Sequence, residues 1–260
     1  MIGSKIHPTA VVHKDAELGE GVEIGPYSII GENVAIGDGT RLAAHVVIDG
    51  HTEIGKNNQI FPFTAIGGEP QSISYKGEPT QTVIGDNNVF RENITVHRGT
   101  MDDEGITSIG SNNLFMAYVH IAHDCRLGSE LLFSNNASLA GHAHVEDYVV
   151  LAGYTLVHQF VRIGEHSFCG VNTYCTLDVP PYMLVAGNKA ITHGINIRGM
   201  RRRGIDQESI SELKRAYRTI YRAGHTMKHA LAELKTHEWK SPQVKKLMQF
   251  IESSKRGVIR

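Results

Sequence analysis

Side chains able to move protons are concentrated between His97 and Gln159. The stretch contains Asn112-Asn113, His120-Ile121-Ala122-His123-Asp124, Asn135-Asn136, Gly141-His142-Ala143-His144 and His158-Gln159. A histidine with a pKa near 6.5 can take a proton from a hydroxyl at neutral pH, and an adjacent carboxylate can fix its tautomer and steady the imidazolium. His123-Asp124 supplies both groups in sequence. Gly141 could present a backbone N–H to a developing oxyanion. There is no Gly-x-Ser-x-Gly elbow and no histidine obviously paired with a cysteine nucleophile, so direct transfer to a hydroxyl is preferred over a covalent enzyme intermediate.

The element that must position these groups is a six-residue beat. Aliphatic residues recur at Ile6, Val12, Leu18, Ile24, Ile30, Ile36, Leu42, Ile48, Ile54, Ile60 and Ile66, often with glycine directly after. The beat resumes at Ile84, Phe90 and Val96, then runs from Ile109 through Phe115, Ile121, Leu127, Phe133, Leu139, Val145, Leu151, Val157, Ile163 and Cys169 to Cys175. A period of six is neither the 3.6 of a helix nor the 2 of a strand, but it suits a solenoid in which three hexads make one triangular coil. Beat residues then point inward and stack on their equivalents one coil away, about 4.8 Å along the axis. Glycine after the beat suits a place where a side chain would crowd the turn or where φ is positive. An antiparallel sandwich would not require a constant period.

Positions 18 apart stack, so Asp124 is expected beside His142, Ala122 beside Ala140 and His158, and His123 beside Gly141 and Gln159. Four histidines from three successive coils thus gather at one corner. Two interruptions flank this region. Residues Pro70 to Pro79 break the pattern although Ile66 to Ile84 counts as a whole coil, and the spacing from Val96 to Ile109 exceeds two hexads by one. Interruptions in a solenoid tend to lie on its binding face.

The beat fades after Cys175, and Asp178-Val179-Pro180-Pro181-Tyr182 ends the regular coils, since proline cannot donate to a ladder. Three helices are predicted beyond. Asp206 is an N-cap before Ile210, Leu213, Ala216, Tyr217, Ile220 and Tyr221, with Gly224 at the end; a second helix takes Met227, Ala230, Leu231 and Leu234, and a third follows Pro242. The expected architecture is an all-β solenoid, a parallel β-helix over 1–190 with loops near 68–82 and 99–107, followed by an α-helical domain over 191–260.

Residues 1–200 hold 11 Lys/Arg against 21 Asp/Glu, whereas residues 201–260 hold 15 against 6. The basic end is therefore a separate surface for an anionic partner or an acidic flank of its own oligomer. It lacks the interleaved aromatics and reader motifs of a nucleic-acid binder. No apolar run approaches a membrane span and the N-terminus has no secretory h-region, so no membrane insertion and a cytoplasmic location are expected. Cys125, Cys169 and Cys175 are odd in number, which argues against a disulfide framework. Two non-transferase readings stay open: a zinc site of converging histidines that activates water, as in carbonic anhydrases of this architecture, and a catalytically silent solenoid that binds a carrier protein. Acetyl transfer from coenzyme A is a further enzymatic alternative.

His97-Arg98-Gly99-Thr100, Ile121-Ala122-His123-Asp124-Cys125, Leu139-Ala140-Gly141-His142, Val157-His158-Gln159-Phe160, Asp178-Val179-Pro180-Pro181-Tyr182, Gly194-Ile195-Asn196-Ile197 and Arg256-Gly257-Val258-Ile259-Arg260 together resemble the UDP-N-acetylglucosamine O-acyltransferases, which catalyse the first step of lipid A synthesis. The resemblance spans essentially the whole chain. It implies a left-handed β-helix and a homotrimer with active sites between subunits. It also implies transfer of an (R)-3-hydroxyacyl chain from acyl carrier protein to the sugar 3-hydroxyl, with no cofactor and no metal. By resemblance His123 is the general base, Asp124 its orienting partner and Gly141 the oxyanion contact. His120, His142, His158, Gln159, Gln71, Asn196, Arg202 and Arg203 fall on substrate-contacting positions, the arginines suiting the nucleotide diphosphate. The basic helices would meet the acidic carrier protein.

Three departures bear on the substrates. The family usually has Gln-Asp-Leu-Lys where this chain has Gln71-Ser72-Ile73-Ser74, and commonly glutamate where Arg198 stands. These changes alter contacts to the sugar, and a 3-amino sugar nucleotide is the alternative acceptor. Val171 falls where a relative selecting long chains has glycine at the far end of the acyl groove. Its added carbons should obstruct the chain tip, pocket fit being worth about 1–3 kcal/mol per methylene. An acyl chain shorter than fourteen carbons is expected.

Overall fold

The structure is a computed structural model that describes residues 4–260; the start of the expected first domain, residues 1–3, lies outside the described residues. Nearly every hexad forms a short strand that ends on its beat residue, as in Glu23–Ile24, Arg41–Leu42 and Gln59–Ile60. Ile24 stands opposite Leu42 and Leu42 opposite Ile60 in parallel register. Repetition builds three sheets of 11, 9 and 8 strands, the faces of a left-handed parallel β-helix. From Ile24 to Cys175 every beat residue is at most 5% exposed, and each buried aliphatic stabilises the coil by roughly 1.5–3 kcal/mol. Backbone bonds run coil to coil, for example Gly25 N–H to the Leu42 carbonyl at 2.9 Å.

The corners refine the role expected of glycine. Gly25, directly after a beat residue, does not have positive φ; a Cβ there would lie 2.6 Å from the Ala43 carbonyl carbon. Crowding by the next coil is the reason for that glycine. The left-handed conformation instead falls three residues after the beat, on Tyr27, His45 and Phe63 and on every sixth residue from Asn112 to Asn172. Non-glycine residues resist this conformation by about 1–2 kcal/mol. Stacking helps to offset the cost: the rings of Tyr27, His45 and Phe63 lie 5.2 and 5.1 Å apart along one edge.

Both interruptions are insertions, and the second is longer than its spacing suggests. Ile66 pairs with Val96 and Val96 with Ile121. Val96 to Ile121 is a step of 25 residues, so the turn around 99–105 adds seven residues to one coil rather than a single slipped one. The regular coils stop at the prolines, but the sheet goes one strand further. After the prolines, Met183–Ala186 still pairs in parallel with Phe168–Cys169 before turning back antiparallel along Ile191–Ile195.

A short helix that periodicity did not reveal follows, α1 (Ile197–Arg202). The three expected helices are α2 (Gln207–Tyr221), α3 (Met227–Lys235) and α4 (Pro242–Ser253). Asp206 caps α2 by accepting the Ser209 N–H at 2.8 Å, and Ile210, Leu213, Ala216, Ile220, Val244 and Leu247 are fully buried. Lys246 of α4 pairs with Glu165 of the solenoid, which also accepts the Tyr182 hydroxyl. The three cysteines are free and buried. Among the described residues no helix is long and apolar enough to cross a membrane.

Candidate active site

Because Ile121 and Leu139 point into the core, the corner residues three positions later, Asp124 and His142, take left-handed backbone conformations (φ 59° and 60°). The two corners lie one above the other. His142 N–H donates to the His123 carbonyl at 3.0 Å, and Phe160 N–H donates to that of Gly141 at 3.2 Å. This ladder brings His123, Asp124, Gly141 and His142 together, as the 18-residue spacing predicts.

His123 Nδ1 lies 2.7 Å from Asp124 Oδ2. Asp124 is 2% exposed and is fixed from the other side by the inserted turn, where Thr100 donates its N–H at 2.7 Å and its hydroxyl at 2.6 Å. Burial opposes the charge on Asp124, but the bonds from His123 and Thr100, with His142 nearby, outweigh it and hold the carboxyl below its ordinary value. An ionised Asp124 accepting Nδ1–H leaves Nε2 of His123 as the basic nitrogen. That nitrogen faces Gly141: a Cβ built there would sit 2.7 Å from Nε2. The Gly141 N–H makes no hydrogen bond among the described residues. Burial pushes the Cys125 thiol up to about 12, so it remains protonated and is no nucleophile.

The remaining histidines fall into distinct positions. The His142 ring stacks on Phe160 at 4.4 Å and meets His123 edge-on at 5.2 Å. His120 sits on the neighbouring face, with Nδ1 2.7 Å from the Thr95 hydroxyl and its ring 5.1 Å from that of His97. His158 lies by the C-terminal tail, where Arg256 Nη2 is 2.9 Å from its Nδ1, and Gln159 is exposed beside it. Donor atoms of His123, Asp124 and His142 lie within 4.8 Å of one another. A zinc ion here would therefore find two imidazoles and a carboxylate, not three histidines.

Burial, then repulsion from His120, His123 and Arg98, pushes His97 down to about 4, and burial also lowers His120, His144 and His166. The folded chain resists protons that the unfolded chain accepts. Stability is thus full above about pH 6.5 and is lost as pH falls towards 4. After solvent screening at the rim, His97 should contribute about 2 kcal/mol of that loss. Urea unfolding midpoints measured from pH 8 to pH 4 should stay level and then drop below 6.5, with a shallower drop in His97→Gln.

The other predicted residues are spread over the loops and the C-terminal region. Gln71 is exposed; Ser72 and Ser74 bond each other at 2.9 Å, and the Ser74 hydroxyl donates to Asp102 of the second insertion at 2.5 Å. Asn196 is the N-cap of α1, accepting the Gly199 N–H at 3.0 Å and donating to the His166 carbonyl at 2.9 Å. Arg198 and Arg202 are exposed on α1, while Arg203 donates to Glu130 at 2.9 Å and lies over the Tyr148 ring. Val171 is 70% exposed at a turn of the solenoid. Sequence reasoning passed over Thr100 as a partner of Asp124. The only signal was its place in His97-Arg98-Gly99-Thr100 at the mouth of an insertion.

Residues 178–259 match the model of UDP-N-acetylglucosamine O-acyltransferase domain 2, and residues 15–50 match that of the bacterial transferase hexapeptide, six repeats. The chain is 52% identical to the acyl-[acyl-carrier-protein]–UDP-N-acetylglucosamine O-acyltransferase of Janthinobacterium sp. (strain Marseille), with 99% of this chain and 100% of that protein covered. Its counterpart in Alkalilimnicola ehrlichii is 54% identical over the same shares. The crystal structure of the Francisella novicida UDP-N-acetylglucosamine acyltransferase superposes with a TM-score of 0.95 at 42% identity, covering 98% of this chain and 94% of that one. With a buried histidine–aspartate pair at one corner of a hexapeptide solenoid, and with this likeness along its full length, the chain belongs to the UDP-N-acetylglucosamine O-acyltransferase family.

Proposed function

We propose that this acyltransferase moves an (R)-3-hydroxyacyl chain from acyl carrier protein to the 3-hydroxyl of UDP-N-acetylglucosamine, the first step of lipid A biosynthesis, with His123 as general base. The observation that carries the reading is the pairing of His123 Nδ1 with Asp124 while its Nε2 faces Gly141. Nε2 takes the proton of the sugar hydroxyl as that oxygen attacks the thioester carbonyl, and the Gly141 N–H receives the oxyanion. Collapse of the tetrahedral intermediate breaks the C–S bond, and the imidazolium gives its proton to the departing thiolate, releasing the carrier as its thiol. The Asp124 carboxylate favours the imidazolium throughout.

His142, His158 and Gln159 then contact substrate along the corner and His120 from the neighbouring face, with Gln71, Ser72 and Ser74 on the first loop. Arg202 and Arg203 meet the nucleotide diphosphate and Arg198 lies on the sugar side, with Asn196 holding the start of the helix that carries Arg198 and Arg202 and that Arg203 ends. The reading includes a homotrimer with its sites between protomers. Its support is a short row of apolar residues on the outer side of the nine-stranded sheet: Val11, Ile29 and Val47, paired in register on successive coils, are 37–63% exposed. An exposed row of this kind favours association. The excess of Lys and Arg after residue 200 suits an acidic carrier protein, and the reaction is placed in the cytoplasm.

Transfer assays with (R)-3-hydroxyacyl carriers of ten, twelve and fourteen carbons, using UDP-N-acetylglucosamine and its 3-amino counterpart as acceptors, test the reading. Transfer to UDP-N-acetylglucosamine from a donor shorter than fourteen carbons is expected. Val171→Gly should move the optimum to a longer chain, raising kcat/KM for the fourteen-carbon donor by roughly tenfold or more. A fourteen-carbon optimum in the unaltered protein would overturn the role given to Val171.

A further inference from the structure

The seven-residue insertion supplies a second carboxylate to the corner. Thr100 is tied to Asp124, and three residues further on Asp103 reaches the other histidine of the pair, with Oδ2 3.2 Å from His142 Nδ1. Asp103 is itself anchored: its Oδ1 accepts Arg126 Nη2 at 2.9 Å, from a strand one coil below His144. Asp102 bonds Ser74 at 2.5 Å and ties the turn to the first loop. The turn is therefore fastened at Thr100, Asp102 and Asp103, to three separate parts of the site.

His142 depends on this contact for its orientation. The flat stack on Phe160, at 13° between planes, is compatible with either edge of the imidazole facing the cleft, because a half-turn about the Cβ–Cγ bond leaves the ring in the same plane. The edge-on contact with His123 does not choose between the two states either. A carboxylate accepting Nδ1–H does choose, and it settles the tautomer at the same time. In the observed state Nε2 lies 3.7 Å from Asp124 Oδ2, on the side of the ring occupied by the catalytic pair.

We propose that Asp103 is a positioning residue for His142, holding its ring so that Nε2 is presented to the acceptor sugar nucleotide bound over His123. The inference rests on the reading of His142 as a substrate contact. Asp103 touches no substrate; it acts through the imidazole, and Arg126 holds it in place.

Asp103→Asn, Asp103→Glu, His142→Ala and the double variant Asp103→Asn/His142→Ala, each as the full chain, test this. Two measurements are compared: KM and kcat for the sugar nucleotide in acyl transfer, and Kd for the nucleotide by calorimetry without acyl donor. A charge-assisted hydrogen bond of the usual strength predicts a rise in KM and Kd of roughly tenfold in Asp103→Asn, with kcat changed less than about threefold. Asp103→Glu should recover most of the loss. In the His142→Ala background, Asp103→Asn should add no more than about a twofold change, because coupled residues do not add. Equal losses in both backgrounds, or unchanged KM and Kd in Asp103→Asn, overturn the proposal. A drop in thermal midpoint with unchanged affinity would show the contact to be structural only, and would overturn it as well. The calorimetric arm reads the coupling without turnover, so absence of acyl transfer in the unaltered protein would refute the proposed reaction and remain distinguishable from failure of the Asp103 contact.

Discussion

Replacement of His123 by alanine is expected to lower kcat by about 10²–10⁴-fold while leaving the fold in place. The size follows from the role assigned to the ring, whose Nδ1 is held by Asp124 while its Nε2 lies against Gly141. Survival of the fold follows from the packing. Asp124 loses one partner but keeps both donors from Thr100, and neighbouring coils remain joined by backbone bonds that do not involve the imidazole. The stability change should be about 1–3 kcal/mol, the cost of leaving a buried acceptor partly satisfied. Steady-state turnover with saturating acyl carrier and sugar nucleotide, together with thermal unfolding and sedimentation, provides the measurement. Undiminished turnover would remove His123 as the base, and a silent carrier-binding solenoid would then be the better description.

Gly141→Ala should cost nearly as much for a different reason. The added Cβ would lie 2.6 Å from His123 Cε1 and 2.7 Å from Nε2. The ring cannot simply swing away, because its Nδ1 is tied to Asp124. It must either break that bond or withdraw its basic nitrogen from the attack line. A displacement of about 1 Å near the chemistry can cost 10²-fold, and disturbing the oxyanion donor adds to it, so a fall in kcat of about 10²–10³-fold is expected. Gly153→Ala serves as control. Gly153 occupies the equivalent place two residues after the beat residue Leu151, but a Cβ there would meet only the Asn135 carbonyl oxygen, at 3.4 Å. Little change in kcat is expected. Equal losses in both variants would point to coil distortion in place of a steric effect on His123.

A solenoid exposes its own geometry in its sequence because each coil repeats the same environment. Leu139 follows Ile121 by 18 residues and stacks on it, which is why the neighbourhood of His123, Asp124, Gly141 and His142 could be counted from residue numbers alone. The same regularity made α2, α3 and α4 conspicuous as a break in period. Counting failed where the repeat is interrupted. The spacing from Val96 to Ile109 suggested a slip of one residue, because the chain does not announce which face it has skipped; only the pairing of Val96 with Ile121 shows seven inserted residues. α1 escaped notice because six residues are too few to display a helical period.

By itself, then, the sequence determined the coil, its inward stack and the corner at which a histidine and a carboxylate meet, because a period of six admits one register and that register fixes the neighbours along the axis wherever the repeat is unbroken. Tertiary structure decided what the insertions do. Thr100, Asp102 and Asp103 have no periodic partner, and their placement against Asp124, Ser74 and His142 depends on loop closure and on hydrogen bonds between segments that no repeat relates. It also decided that left-handed corners can carry tyrosine, histidine and phenylalanine, since ring stacking between coils helps to offset a backbone cost that a single residue, read alone, would be expected to avoid.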